Sequence, residues 1–359
     1  MALQSSGAIS LDDIHDEAGG TSGSTCTVND ADIRALISKS AGASMAFNEW
    51  YGASAFTPRI VFFGGSVGGD AINVMEYVNP TSTGNVTDFG DLTMTKKASL
   101  EGMASSTRGV IPPAGGEYEN FLDDGTNAGH PQYTLEYITI ASTGNATDFG
   151  DSTTNVAASC FGSNIRGIYG ANNGKNNIEY ITIASTGNGT DFGNNTTNGN
   201  NGGYGSMGSS TTRGLFAGGS ISGAGYSYEI HYVTISSTGN TSDFGNLNDN
   251  KLNAAGCSSN TRGITGGGSS QDSSVQIDYV TIASTGNAAD FGDLASDKYQ
   301  RASASQNSGR GLFGGGQGTT NEILYVTIAS TGNSTDFGDL SAAKGSAGGL
   351  SNCHGGIAA

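Results

Sequence analysis

Pairs of carboxylates recur along this sequence in one short string. TDFGD carries Asp88 and Asp91, Asp148 and Asp151, and Asp336 and Asp339, and its variant ADFGD carries Asp290 and Asp293. In two further copies the second acid is replaced by Asn194 and Asn246. Calcium takes six to eight oxygens, and its loops carry denser carboxylates than this. The pairs therefore read as turn and strand-end hydrogen bonding. DFG also occurs in protein kinases, but no Gly-rich phosphate loop, catalytic loop or βαβ context accompanies it here. The four histidines, His15, His130, His231 and His354, have neither metal nor triad spacing. Cys26, Cys160, Cys257 and Cys353 are far apart and read as reduced, small, buried residues. No cofactor and no metal is expected, and no catalytic residue can be assembled.

Chemistry of a different kind sits in the long irregular stretches. Tyr118, Asp123, Asp124, His130 and Tyr133 share the segment EYENFLDDGTNAGHPQY, and Tyr226 and Tyr228 share another. Tyrosines with carboxylates suit sugars, by stacking and hydrogen bonding. A glycan-cleaving pair of carboxylates is the enzymatic competitor, but its defining separation is not readable from sequence.

A repeat must position these stretches. Six copies of a string like YVTIASTGNSTDFGDL align on Phe89, Phe149, Phe192, Phe244, Phe291 and Phe337, at intervals of roughly 40–60 residues. Between them lie RIVFFGG at Arg59, RGVIPPAGG at Arg108, RGIYG at Arg166, RGLFAGG at Arg213, RGITGGG at Arg262 and RGLFGGG at Arg310. Before each later Arg comes a run of small residues. Each unit thus offers four strands: the small-residue run, the Arg-led strand, the alternating Tyr-Ile strand, and TDFGDL. Gly and Asn of the STGN turn are expected to supply positive φ. Four antiparallel strands per repeat predict an all-β propeller blade. Small residues suit the crowded innermost strand, and the Tyr, Ile and Phe side chains fill the space between blades. Blades must stack to bury their apolar faces. The run at 346–356 is expected to pair with RIVFFGG and close blade 1. That gives six blades, with seven as the competing count if Tyr51–Pro58 supplies blade 1 with its own inner strand.

The order of inner strand, turn, Gly-Gly strand, aromatic strand and outer strand resembles kelch repeats. The closer wording, YVTIASTGNATDFGDL with TRGLFAGG, resembles kelch-like virion proteins of tailed bacteriophages of marine hosts, over residues 59–357. The usual outer-strand Trp of kelch repeats is missing, since the only Trp is Trp50. The resemblance implies a tail fibre or other virion appendage without enzymatic activity. A copper-dependent oxidase of the same fold would need a His and Tyr ligand set that this sequence does not offer.

Residues 1–58 read as a separate helical segment, ahead of a propeller over 59–359. Ser10 is a helix cap before LDDIHDE, and NDADIRALISK again offers caps. Leu11, Ile14, Ile33, Leu36, Ile37, Phe47 and Trp50 are its apolar candidates for attachment to other virion proteins. Net charge is −17 and the pI about 4.3, which repels nucleic acid and anionic membranes. No apolar run is long enough to span a bilayer. The N-terminal residues lack a basic segment followed by an apolar core, so no secretory signal is expected, and a secreted adhesin is disfavoured. The sequence expectation is a virion protein present in several copies. The turns from first to second and from third to fourth strand form a constant face, and the second–third loops and the connections from one blade to the next form a variable face that binds a host surface glycan or protein. The chain enters on the constant face, so attachment and recognition are expected at opposite ends. A decorative capsid, neck or tail protein is the remaining alternative.

Overall fold

The computed structural model describes residues 3–4, 8–37, 39–40, 42–51, 57–97, 101–113, 133–153, 159–170, 176–196, 200–202, 205–221, 225–268, 275–296, 302–305, 309–316 and 320–357. These fall into two compact units, Met1–Thr57 with Ala359, and Pro58–Ala358.

The larger unit is a six-bladed β-propeller. Blade 2 shows the pattern: inner strand Met103–Ala104, second Arg108–Ile111, third Thr134–Thr139 and outer Thr147–Asp151. Blades 3 to 6 repeat it from Ser159, Gly205, Ala255 and Ala302. Blade 1 is assembled from both ends of the unit. Its second, third and outer strands are Ile60–Phe63, Asp70–Val78 and Thr87–Lys96, and its inner strand is Gly348–Ser351. Val61 pairs with Leu350 and Phe63 with Gly348, antiparallel. The inner position of blade 1 is thus filled from the C-terminal run, and the seven-blade alternative falls.

Six apolar clusters hold the ring, one at each seam between blades. At the seam between blades 1 and 2, Phe63, Met75 and Phe89 meet Ile111, Ile138 and Ile140. At the closing seam, Leu312, Ile323 and Phe337 of blade 6 meet Ile60, Phe62 and Val78 of blade 1. Within each blade the Tyr of the third strand meets the DFG Phe edge-on, at centroid distances such as 5.9 Å for Tyr77–Phe89 and 6.0 Å for Tyr325–Phe337.

The inner strands are made of small residues because they touch one another. A Cβ on Gly256 would lie 1.6 Å from Ser206 O, and one on Gly349 would lie 2.5 Å from Ser303 O. Serine is tolerated where its hydroxyl has a carbonyl to meet. Ser209 Oγ donates to Gly162 O at 2.7 Å, Ser258 Oγ to Ser209 O at 2.8 Å, and Ser305 Oγ to Ser258 O at 2.7 Å. A hydroxyl belt therefore ties blades 3 to 6 around the axis.

The smaller unit has its own core. Helix α1 (Leu11–Glu17) is capped by Ser10, whose Oγ accepts the Asp13 N–H while Asp13 takes the Ser10 N–H. Helix α2 (Ala31–Ala35) and a 3-10 turn at Phe47–Trp50 follow. Each helix is too short to persist alone in water. They are held by Ile14, Ile33 and Trp50, all buried, with Leu11, Leu36 and Ile37 packed around them. The Trp50 indole N–H donates to Ile33 O at 3.1 Å.

Candidate recognition face and the frame beneath it

The constant face is a set of seams. In each blade the Arg that opens the second strand lies over the Tyr of the third strand, at 4.2 Å for Arg166 on Tyr180 and 4.6 Å for Arg213 on Tyr232. The same guanidinium then reaches the next blade. Arg108 Nη1 donates to Ile183 O and Ala184 O, Arg213 Nη1 to Ile282 O and Ala283 O, and Arg310 Nη1 to Pro80 O. Arg59, Arg166 and Arg262 make the equivalent bond, so the latch runs around the whole ring.

The repeated STGN and DFG strings form a second seam. The turn of one blade docks on the outer strand of the blade before it. Gly286 N–H donates to Phe244 O at 2.8 Å, Ala288 N–H donates to Asn246 O at 2.7 Å, and Asn287 Oδ1 accepts Asn246 N–H at 3.1 Å. Asn85, Asn145, Asn188, Asn240 and Asn333 accept in the same way. The expected positive φ at these asparagines is not found; positive φ outside glycine occurs at Asn253 and Ser346 among the described residues. The Asn is required for its side-chain acceptor instead. The DFG Gly is required twice over. Gly245 has φ +148°, and a Cβ there would lie 2.3 Å from Gly286 O. Each third–outer pair also shifts register beside the DFG Phe, as between Ile178 and Glu179. The docked turn, this bulge and the exposed Asp ahead of it together leave the outer edge little to pair with another strand.

The variable face is anchored from below. One position of the third strand holds Glu76, Glu136, Glu179, His231, Asp278 and Leu324 in blades 1 to 6. Where it is acidic, it receives the connection arriving from the preceding blade. Lys96 Nζ lies 2.8 Å from Glu136, Lys344 Nζ 2.7 Å from Glu76 and Lys251 Nζ 3.6 Å from Asp278, all buried. Desolvation pushes the Lys96 and Lys251 ammonium groups down, and their carboxylate partners oppose it. Burial correspondingly raises Asp278 against the pull of Lys251. In blade 3 the partners are hydroxyls: Tyr169 at 2.8 Å and Ser152 at 3.0 Å donate to Glu179. Connections that differ in sequence thus rest on a common ledge.

Of the sequence-predicted recognition residues, Tyr118, Asp123, Asp124 and His130 lie outside the described residues. Tyr133 is half-buried, and its carbonyl accepts Ser152 N–H at 2.8 Å. Tyr226 belongs to a small extra sheet formed by Asn200–Gly202, Ser220–Ile221 and Gly225–Tyr226. Its strands come from the connection after blade 3 and the second–third loop of blade 4. Tyr228 follows it, 50% exposed, with its carbonyl held by Leu247 N–H at 2.7 Å. Tyr226 and Tyr228, two residues apart in sequence, thus both lie in the second–third loop region of blade 4. Of the attachment candidates, Ile14, Ile33 and Trp50 are buried within their own unit, and Phe47 is 48% exposed.

Sequence reasoning passed over the axis. Residues 352–357 cross it at the constant-face end. His354 Nε2 is 2.9 Å from Ala104 O, Gly355 N–H donates to Ser258 O, and Gly356 N–H donates to His354 Nδ1. Behind this plug is a cavity of about 40 Å³ lined by Glu101, Cys160, Ser206, Gly256, Ser303 and His354 among others. Glu101 was legible as the one charge interrupting the small-residue run SLEGMASST. Cys26, Cys160, Cys257 and Cys353 are unpaired; Cys160 and Cys257 are buried, the other two only partly so. Among the described residues, no group of three or more His, Cys, Asp and Glu is arranged to hold a metal ion. No described helix is long and apolar enough to cross a membrane. No family model matches the chain, and no curated protein matches it significantly.

Proposed function

We propose that this chain is a non-enzymatic virion protein of a tailed bacteriophage, a tail fibre or related appendage present in several copies. Its N-terminal unit docks on other virion proteins, and the variable face of its propeller binds a host surface receptor, a glycan in the first instance. One observation carries the recognition part: the repeated strings are consumed in seams, while sequence variation falls on connections anchored to a buried ledge. Binding residues commonly sit on loops over such a rigid frame. Tyr226 and Tyr228 are the described candidates for stacking on a sugar. Tyr118, Asp123, Asp124, His130 and Tyr133 are the candidates from the long blade 2 loop. The phage assignment rests on the resemblance of the repeat wording. Since Ile14, Ile33 and Trp50 form a core, docking falls to outward residues, Phe47 with Val28 and Tyr51.

The test uses the full chain added to receptor-bearing cells and to virions assembled without it. The reading expects Tyr228→Ala to weaken cell binding and leave virion incorporation intact, and Phe47→Ser to do the reverse. A chain that joins virions and ignores cells is a decorative protein. A chain that cleaves a surface glycan is an enzyme, and the reading fails.

A further inference from the structure

Glu101 stands where the other blades have Ser159, Gly205, Ala255, Ala302 and Gly348. Its carboxyl reaches from blade 2 across the axis to blades 5 and 6. Oε1 is 2.9 Å from Gly256 N and 2.8 Å from Ser303 Oγ. Ser303 Oγ is also 2.8 Å from Gly256 O. A serine hydroxyl carries one hydrogen, so Ser303 cannot donate to the carboxyl and to the carbonyl at once. With Glu101 ionised, one of these two close contacts has no proton in it. With Glu101 protonated on Oε1, every contact holds a proton: Oε1–H donates to Ser303 Oγ, Ser303 O–H to Gly256 O, and Gly256 N–H to the same Oε1.

We propose that Glu101 is a proton-operated strut across the propeller axis: protonated, it closes a hydrogen-bond ring joining blades 2, 5 and 6, and ionised it breaks that ring.

The surroundings agree. The titratable groups lining the cavity with it are Cys160 of blade 3, Cys257 of blade 5 and His354 of the plug. Burial pushes both thiols up and His354 down, so all three are neutral near pH 7. The two bonds of His354 fix the same neutral form, with Nδ1 accepting and Nε2 donating. No Lys or Arg lines the cavity among the described residues. Glu101 keeps a little accessible surface because it faces the cavity, but the inner strands enclose its carboxyl. That enclosure raises it from 4.5 to about 7, against the opposing hydrogen bonds of Gly256 and Ser303. A carboxyl raised in the folded state favours folding fully below its unfolded value. The advantage is lost as pH rises through the folded value. Between pH 5 and pH 8 the folding constant should fall by about 70-fold through this group alone.

The test compares the full chain with Glu101→Gln, which does not titrate; since Oε1 alone serves both Gly256 and Ser303, the amide leaves one of the contacts unfilled, at every pH. Urea unfolding is followed by circular dichroism at pH 5 and pH 8, because the only Trp reports on the other unit. The expected result is that the folding constant of the unaltered chain falls about 70-fold more than that of the variant between pH 5 and pH 8. Parallel pH dependence of the two proteins overturns the proposal. If Glu101→Gln fails to fold, infrared titration of the unaltered protein decides instead. A protonated carboxyl band that disappears near pH 7 supports the strut, and complete ionisation by pH 5.5 overturns it.

Discussion

Gly245→Ala separates two reasons for a repeated glycine. The position has φ +148°, and a Cβ would sit 2.3 Å from the backbone oxygen of Gly286. Backbone strain of this kind costs about 1–3 kcal/mol. The clash is with main chain, so relief requires the turn of blade 5 to lift from blade 4. That movement breaks the bonds from Gly286 N, Ala288 N and Asn246 N. Each such bond contributes about 0.5–1.5 kcal/mol net. Gly→Ala also restricts the unfolded chain, which returns about 0.4–1 kcal/mol. The balance is a loss of about 1.5–7 kcal/mol. Gly286→Ala is the internal control. Its φ is +158°, at the margin of the extended region, and a Cβ there meets nothing within 4 Å. It should carry the backbone strain without the clash, a net loss of about 0–2.6 kcal/mol. Urea unfolding by linear extrapolation measures both. Equal losses, or a loss under about 1 kcal/mol for Gly245→Ala, would refute the argument that close approach between blades fixes this residue.

Three further outcomes are expected. Arg213→Ala should destabilise by about 2–4 kcal/mol, from two charged hydrogen bonds and the contact with Tyr232; Arg213→Lys should recover at most half in the same unfolding assay, because it lacks the planar fork. Lys96→Met should cost about 3–5 kcal/mol near pH 7 by leaving Glu136 buried and unpaired; adding Glu136→Leu should restore most of that loss. Deleting residues 346–359 removes the inner strand of blade 1 and the axial plug, and should replace the single cooperative melt of the propeller by a broad, early transition in scanning calorimetry.

The propeller was readable because period-two runs, a hairpin turn and small-residue runs recur in one order, and each has one physical use in a blade. The closing strand was readable for the same reason: RIVFFGG lacked an inner partner, and SAGGLSNCHGG carries the small-residue pattern of an inner strand. What was missed depends on geometry between repeats. The Asn of STGN looked like a φ specialist, whereas its amide oxygen accepts from a strand in the preceding blade, 41 residues away for Asn246 and Asn287. The Arg of each second strand marked the repeat without revealing that it bridges two blades. Lys96, Lys251 and Lys344 sit in connections read only as variable, and their carboxylate partners hide inside alternating strands. In the N-terminal unit the apolar pattern located Ile14, Ile33 and Trp50, but pattern alone cannot tell a core from a docking face.

The measurement closest to the central claim is binding of the full chain to a panel of immobilised bacterial surface oligosaccharides, repeated with one change on each propeller face. The first variant replaces residues 220–228 by the short ANNGKNN loop of blade 3. The second, Thr186→Arg, places a bulky charge on an exposed turn of the constant face. Binding to at least one oligosaccharide is expected, lost with the loop exchange and retained with Thr186→Arg. Binding that survives every exchange of variable-face loops, or is abolished by Thr186→Arg alone, would contradict it.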